Sequence, residues 1–180
     1  MKLSFKTELY KKPSYFPEKI LRSIYELSMQ DDQNNSVPEI NIEGFYKSGY
    51  NFNCIQFYTC RQKLHTIRED KPDRWKSNMK IHFVIFNRSK NEFRFAPVLL
   101  CKSTQKFELY YDHKNNKRSV YIDDKLFYSE NFNHIPDFFL KFLFMRQLAF
   151  NDGFNSIKDF FNYFDKPFKG KIIHWTDKIY

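Results

Sequence analysis

The order of periodic segments along the chain predicts an α+β fold with a mixed sheet or a small barrel. Helical spacing of apolar residues occurs near the amino terminus and again in the last third, and strand-like segments lie between. With 180 residues, 42% of them hydrophobic, the chain has enough apolar surface for one core and too little length for two full domains. We therefore expect residues 1–180 to form a single domain.

The first third of the chain predicts a strand, a helix and an irregular segment. Leu3 and Phe5 alternate with polar neighbours, as in a half-buried strand. Apolar residues then recur at helical spacing, which predicts a helix over Tyr15–Met29. Residues 30–53 begin with a polar run and continue without regular periodicity, which favours an insertion or loop.

The middle of the chain predicts antiparallel strands. Residues 81–86 are apolar on both faces of an extended chain, as in a buried or barrel strand. Three further strands and a hairpin turn follow, at Arg94–Leu100, Phe107–Tyr111, Ser119–Ile122 and Lys114–Lys117.

The last third predicts two helices and a closing strand. A helix that begins at Pro136 and continues to Phe150 is expected in the core, and an Asn-Asp-Gly turn follows it. Ser156 and Asp159 have the spacing of a capping box, so a short helix should begin there and end near Phe164. Residues 172–175 predict the final strand.

The charge favours a polyanionic partner but does not require one. Lysine and arginine total 30 against 21 acidic residues, a formal charge of +9. Such an excess suits nucleic acid or a phosphate-bearing ligand. A solvated charged surface explains the same excess of charge. AT-rich codon usage also accounts for part of the composition, because it enriches lysine, phenylalanine and tyrosine together.

Several cellular and chemical classes are disfavoured. Three cysteines without a secretory leader predict a reducing compartment, the cytoplasm, and no disulfide framework. The most apolar stretch, residues 138–150, is too short and too charged to span a bilayer, so no membrane association is expected. The phosphate-binding glycine motifs, HExxH and CxxC are all absent, so we predict no metal and no cofactor.

One segment carries suggestive chemistry, Lys63-Leu64-His65-Thr66-Ile67-Arg68. In an extended chain Thr66 and Arg68 share one face. A lysine amine can activate a threonine hydroxyl, and an arginine can bind a phosphate or a carbonyl. A polar strand end with solvated charges explains the same residues, and composition alone favours that interpretation.

Several short segments, taken in order, make the chain resemble the ASCH family, relatives of the PUA domain. The segments are Leu3-Ser4-Phe5, Tyr15-Phe16-Pro17-Glu18-Lys19-Ile20, Lys63-Leu64-His65-Thr66-Ile67-Arg68, Trp75-Lys76, Met79-Lys80-Ile81, Leu148-Ala149-Phe150-Asn151-Asp152-Gly153-Phe154 and Ile172-Ile173-His174-Trp175. The resemblance spans nearly the whole chain. It implies a small PUA-like β-barrel with flanking helices and a cleft suited to RNA or a modified nucleoside.

The resemblance extends to the acetylcytidine amidohydrolases of that family. Lys63 and Thr66 match their catalytic lysine and threonine, and Asp152 stands where they have a catalytic glutamate. The shorter aspartate puts proton transfer across the cleft in doubt. The segment 30–53 is a second departure, because compact amidohydrolases lack it.

Two functions follow, and the sequence leaves both open. In the first, the domain binds RNA, a nucleotide or a modified nucleoside in a basic cleft, through the ligand-contacting residues His65, Arg68, Arg74, Trp75 and Lys76. In the second, it is an amidohydrolase that removes an acyl group from a modified nucleoside, with Thr66 as nucleophile, Lys63 as base and Asp152 as proton relay. Trp75 suits base stacking or packing about equally, and the sequence does not indicate an oligomeric state.

Overall fold

The computed structural model describes residues 1–30, 38–112, 114–115, 117–130 and 138–180. The chain forms two compact units, of which the first comprises residues 1–63 and 79–100 and the second comprises residues 64–78 and 101–180. The prediction of one domain over residues 1–180 stays a prediction.

The first unit contains a four-stranded sheet and a two-stranded hairpin. The sheet strands are β1 (Lys2–Ser4), β5 (Lys80–Ile85), β6 (Phe93–Arg94) and β7 (Leu99–Leu100). β1 runs parallel to β5, whereas β6 and β7 pair antiparallel with β5. The hairpin consists of β2 (Glu8–Leu9) and β3 (Lys12–Pro13).

Three helices complete the first unit: α1 (Phe16–Gln30), α2 (Ile42–Lys47) and α3 (Cys54–Thr59). The predicted helix over Tyr15–Met29 is confirmed, and its apolar stripe is buried as helical spacing requires. The side chains of Asn41 and Asn53 cap α2 and α3 by accepting from a backbone N–H of the first turn.

The second unit is built on a five-stranded antiparallel sheet. Its strands, in spatial order, are β10 (Lys125–Ser129), β9 (Lys117–Ile122), β8 (Ser103–Asp112), β11 (Phe168–His174) and β4 (His65–Arg68). Since β4 pairs only with β11 within this sheet, it is an edge strand. The α+β class is confirmed. None of the sheets in the described residues closes on itself, and the barrel stays a prediction.

Two helices belong to the second unit, α4 (Phe138–Asn151) and α5 (Ile157–Tyr163). The predicted cap of α5 is confirmed, because the Ser156 hydroxyl accepts from the backbone N–H of Asp159 at 3.0 Å. Phe107 of β8 packs against Phe160 and Phe164, with ring centroids 6.2 and 6.0 Å apart. Among the described residues, no helix is both long and apolar enough to cross a membrane.

The expectation that residues 138–150 lie in the core is wrong for the amino-terminal half of α4. Met145, Leu148 and Ala149 are buried, but the large apolar residues before them are exposed: Phe139, Leu140, Phe142 and Phe144. Among the described elements α4 packs mainly against β10 and α5, and a helix that is apolar all round cannot press every side against such neighbours.

Other differences are local. β10 was not predicted, and the expected strand over Arg94–Leu100 is two short strands, β6 and β7, separated by an irregular segment. Within residues 30–53, expected to be irregular, the capped helix α2 forms. The polar run over residues 31–37, part of the hairpin turn at 114–117 and the helix start at residue 136 lie outside the described residues.

Candidate functional site

The segment that carries Thr66 is the edge strand β4 of the second unit. Thr66 pairs with Ile173 of β11, and His65 pairs with His174. Because side chains alternate along a strand, Thr66 and Arg68 lie on one face of the sheet and His65 and Ile67 on the other. The first of these pairs agrees with the expectation from the sequence.

The turn after α4 runs along the free edge of β4. The backbone N–H of Leu64 donates to the carbonyl oxygen of Asn151 at 2.8 Å, and that of Ile67 donates to Oδ1 of Asp152 at 3.3 Å. The carboxylate of Asp152 therefore lies beside the peptide bond between Thr66 and Ile67. Thr66 and Asp152 are each only 3% exposed. Folding thus brings together two polar residues that are 86 positions apart.

The Asp-Gly pair at residues 152 and 153 explains how the chain places this carboxylate. Gly153 has φ +90°, in the left-handed region that favours glycine, and its N–H bonds back to Phe150. The helix therefore ends at this point, and the Asp152 carboxylate is placed where it accepts from the Ile67 N–H of β4.

A buried aromatic cluster occupies the other face of β4. The rings of His65, His174 and Tyr180 lie 5.3 to 6.0 Å apart, centroid to centroid. The Tyr180 hydroxyl accepts from Nδ2 of Asn151 at 2.7 Å and lies 3.4 Å from Nδ1 of His65. Tyr180 is thus hydrogen-bonded to both chain segments that border the site.

His174 is fully buried in that cluster, and neither of its ring nitrogens has a hydrogen-bond partner among the residues that the structure describes. Burial lowers its pKa to about 4, and the charge of Asp123 opposes this effect weakly. The imidazole is therefore neutral at pH 7.

Sequence reasoning missed the hydrogen bond between Asn151 and Tyr180, which ties the turn after α4 to the aromatic cluster behind β4. Gln105 fixes the backbone of Tyr180 on both sides, since its Nε2 donates to the Tyr180 carbonyl at 2.8 Å and its Oε1 accepts from the Tyr180 N–H at 2.9 Å. Nothing local in the sequence marks these contacts, because Gln105 and Tyr180 are 75 positions apart.

Lys63, the expected base, belongs to the first unit. Its side chain is 1% exposed, and its Nζ lies 4.9 Å from the ring centroid of Phe16 and 5.9 Å from that of Phe5. Such ring faces attract an ammonium group. Its backbone N–H donates to the carbonyl of Lys19 at 3.0 Å, which fixes Lys63 to α1.

The loop at residues 69–78 holds three of the expected ligand-contacting residues, Arg74, Trp75 and Lys76. Both carboxylate oxygens of Asp70 accept backbone N–H groups, from Arg74 at 3.1 Å and from Trp75 at 2.8 Å. Trp75 is only 4% exposed, so its ring packs inside the protein and cannot stack on an incoming base. The Arg74 side chain is exposed and lies 4.0 Å from the Asp70 carboxylate.

The cations of this loop are balanced by carboxylates. Asp73 forms ion pairs with Lys171 and Lys76. Hydrogen bonds from Lys171 and then from Lys76 lower the pKa of Asp73 to about 2, so it is ionised at neutral pH. Lys76 therefore shares the carboxylate of Asp73 with Lys171.

No family model, curated protein or solved structure matches this chain. Among the residues that the structure describes, no cluster of three or more histidine, cysteine or acidic side chains could hold a metal ion. The chemistry available at β4 is therefore that of a buried hydroxyl, a buried carboxylate and a nearby arginine.

Proposed function

We propose that this protein is an ASCH-like domain that binds a modified nucleoside at the Thr66–Asp152 site of its second unit. In this proposal the five-stranded sheet corresponds to part of a PUA-like barrel. The observation that carries the proposal is the hydrogen bond from the Ile67 N–H to Asp152, which holds a buried carboxylate beside Thr66.

Burial and polarity together suit this ligand. The Asp152 carboxylate and the Thr66 hydroxyl can each accept a hydrogen bond, and a nucleoside offers N–H and O–H donors. Arg68 lies on the same sheet face as Thr66 and is half-buried, so it suits a carbonyl oxygen of a base or an acyl group.

The loop contacts favour a nucleoside over an RNA backbone. Binding led by phosphate contacts needs lysine and arginine side chains that can neutralise phosphates and so displace the counterions condensed on the nucleic acid. Lys76 is already ion-paired with Asp73, and the Trp75 ring is buried. The net charge of +9 supports the alternative hypothesis, binding of a polyanion. That hypothesis predicts an affinity that falls steeply with added salt.

Hydrolysis of an acylated nucleoside is the second candidate, favoured by a buried carboxylate that is bonded to the residue next to the buried Thr66. In this reaction Thr66 Oγ1 adds to the acyl carbon, the carbon–nitrogen bond breaks, and the amine leaves with a proton. Water then cleaves the acyl ester and restores the hydroxyl. The resemblance makes Lys63 the base that takes the threonine proton and Asp152 the proton relay.

Calorimetric titration with N4-acetylcytidine and cytidine tests the binding proposal. Thr66→Val and Asp152→Asn preserve side-chain shape and should each weaken nucleoside binding by about tenfold, the value of one buried hydrogen bond. Thr59→Val and Asp159→Asn are matched controls that should leave affinity unchanged. Tight, steeply salt-dependent binding of single-stranded RNA without nucleoside binding would overturn the proposal.

Turnover separates binding from hydrolysis. If the protein is an amidohydrolase, N4-acetylcytidine is converted to cytidine and acetate, and Thr66→Val and Lys63→Met abolish that conversion. Nucleoside binding without product formation would limit the function to binding. Turnover that persists in Thr66→Val would rule out the nucleophile.

A further inference from the structure

The first unit contains a pocket of about 420 Å³ that none of the site residues above helps to line. This volume lies in the range of small-molecule sites. Its wall is formed by the hairpin β2–β3, the residue before α1, the segment after α2 and the residue after β5.

Three aromatic residues line the pocket: Tyr15, Tyr50 and Phe86. Two of them have a left-handed backbone, Tyr15 with φ +53° and Phe86 with φ +51°. Bulky residues rarely adopt that conformation, and such strain is found preferentially where a ligand is held. Two of the three rings that line the pocket are therefore attached to strained backbone positions.

A buried carboxylate is hydrogen-bonded to two residues that line the pocket. Glu18 is fully buried, and its two oxygens accept from the Tyr50 hydroxyl at 2.7 Å and from the backbone N–H of Asn53 at 3.0 Å. Burial raises the pKa of Glu18, while these two hydrogen bonds act in the opposite direction. Tyr50 and Asn53 both line the pocket, so the hydrogen bonds of Glu18 fix two residues of its wall.

The described residues that line the pocket include an acid and no base. None of these described residues is lysine or arginine, and the exposed residue Glu8 of β2 is among them. The whole chain carries an excess of nine positive charges. A pocket without lining cations is poorly suited to phosphate, whereas aromatic faces and a carboxylate attract a cation.

We propose that this pocket binds an organic cation through an alkylammonium group, held by the rings of Tyr15, Tyr50 and Phe86 and by the carboxylate of Glu8. The site is independent of the proposed nucleoside function, because it shares no residue with the Thr66–Asp152 site. Loss of one activity therefore leaves the other measurable.

Choline and its neutral isostere 3,3-dimethylbutan-1-ol form the test pair, titrated into the ¹⁵N-labelled full chain. Choline should shift the amide resonances of Gly49, Asn51 and Phe86 saturably, and the isostere should bind about tenfold more weakly, as a cation–π and ionic contribution requires. A Thr66→Val protein should bind choline like the unmodified chain.

Two matched pairs of variants locate the effect. Tyr15→Leu should weaken choline binding about tenfold, whereas Tyr10→Leu should not, although Tyr10 also has a left-handed backbone and is exposed outside the pocket. Glu8→Gln should weaken choline binding about threefold, roughly the value of an exposed ionic contact, and Glu39→Gln should leave it unchanged.

Equal binding of choline and its neutral isostere would overturn the assignment of a cation. Preferential binding of inorganic phosphate at these resonances would overturn it as well. So would the absence of any saturable shift at choline concentrations up to about 50 mM, well above the millimolar affinity expected of a single ammonium contact.

Discussion

Replacing His174 with leucine should remove a large part of the acid sensitivity of this fold. The pKa of His174 falls from 6.5 to about 4 in the folded protein because burial penalises the imidazolium. Between these values the unfolded chain binds more protons than the folded one, so stability decreases as the pH falls through this window. Below about pH 4 both states are protonated, and this residue causes no further loss.

The magnitude follows from the difference between the two pKa values. One pH unit corresponds to about 1.4 kcal/mol, so the contribution of His174 falls by about 2.5 kcal/mol between pH 7 and pH 4.5, and by about 3 kcal/mol in the acid limit. No large discount for solvent applies, because His174 is fully buried. The groups that face it are His65, Tyr180 and, more distantly, Asp123.

Urea unfolding at several pH values measures the effect. As the pH falls from 7 to 4.5, the free energy of unfolding of the unmodified chain should decrease by about 2.5 kcal/mol more than that of His174→Leu. Subtracting the two curves cancels the carboxylates that titrate in both proteins. Parallel curves over this range would refute the reasoning.

Three further substitutions test the local structure around the site, each by urea unfolding. A Cβ at Gly170 would lie 2.2 Å from a backbone oxygen of β4, so Gly170→Ala should cost about 2 kcal/mol or more, and a neutral result would show that β4 can move. Asp70→Ala leaves one buried and one partly buried loop amide without the acceptors they have now and should cost about 3 kcal/mol, whereas exposed Asp73→Ala should cost under about 1 kcal/mol; equal costs would contradict the role given to Asp70. Ser156→Ala removes a helix cap and should cost about 1 kcal/mol, and no change would mean that water replaces the hydroxyl.

Local patterns predicted the elements whose cause is local. The spacing of apolar residues fixes one buried stripe on a helix, so α1 was predicted within one residue at each end. The cap of α5 was predicted because the Ser156 hydroxyl needs only the amide three residues away.

Burial that depends on distant partners could not be settled from the sequence. The composition of α4 indicated a core helix, but the first half of that helix is largely exposed. The sequence suited base stacking and packing of Trp75 about equally, and the structure buries the ring in a loop held by the backbone hydrogen bonds of Asp70.

The candidate site was partly predictable for the same reason. Alternation along a strand is local, so the shared face of Thr66 and Arg68 followed from the sequence. The proximity of Asp152 was expected only from the family resemblance, because no local rule pairs a helix-end carboxylate with a strand 86 positions earlier. Tyr180 had neither kind of signal, and its role emerges only from the folded contacts.

The location of nucleoside binding tests the central claim most directly. Titration of N4-acetylcytidine into the ¹⁵N-labelled chain should shift the amide resonances of residues 65–68 and 151–153, and Asp152→Asn should weaken these shifts while Asp159→Asn preserves them. Shifts confined to exposed basic residues such as Arg74 and Lys76, unchanged in Asp152→Asn, would contradict the assignment of the Thr66–Asp152 site.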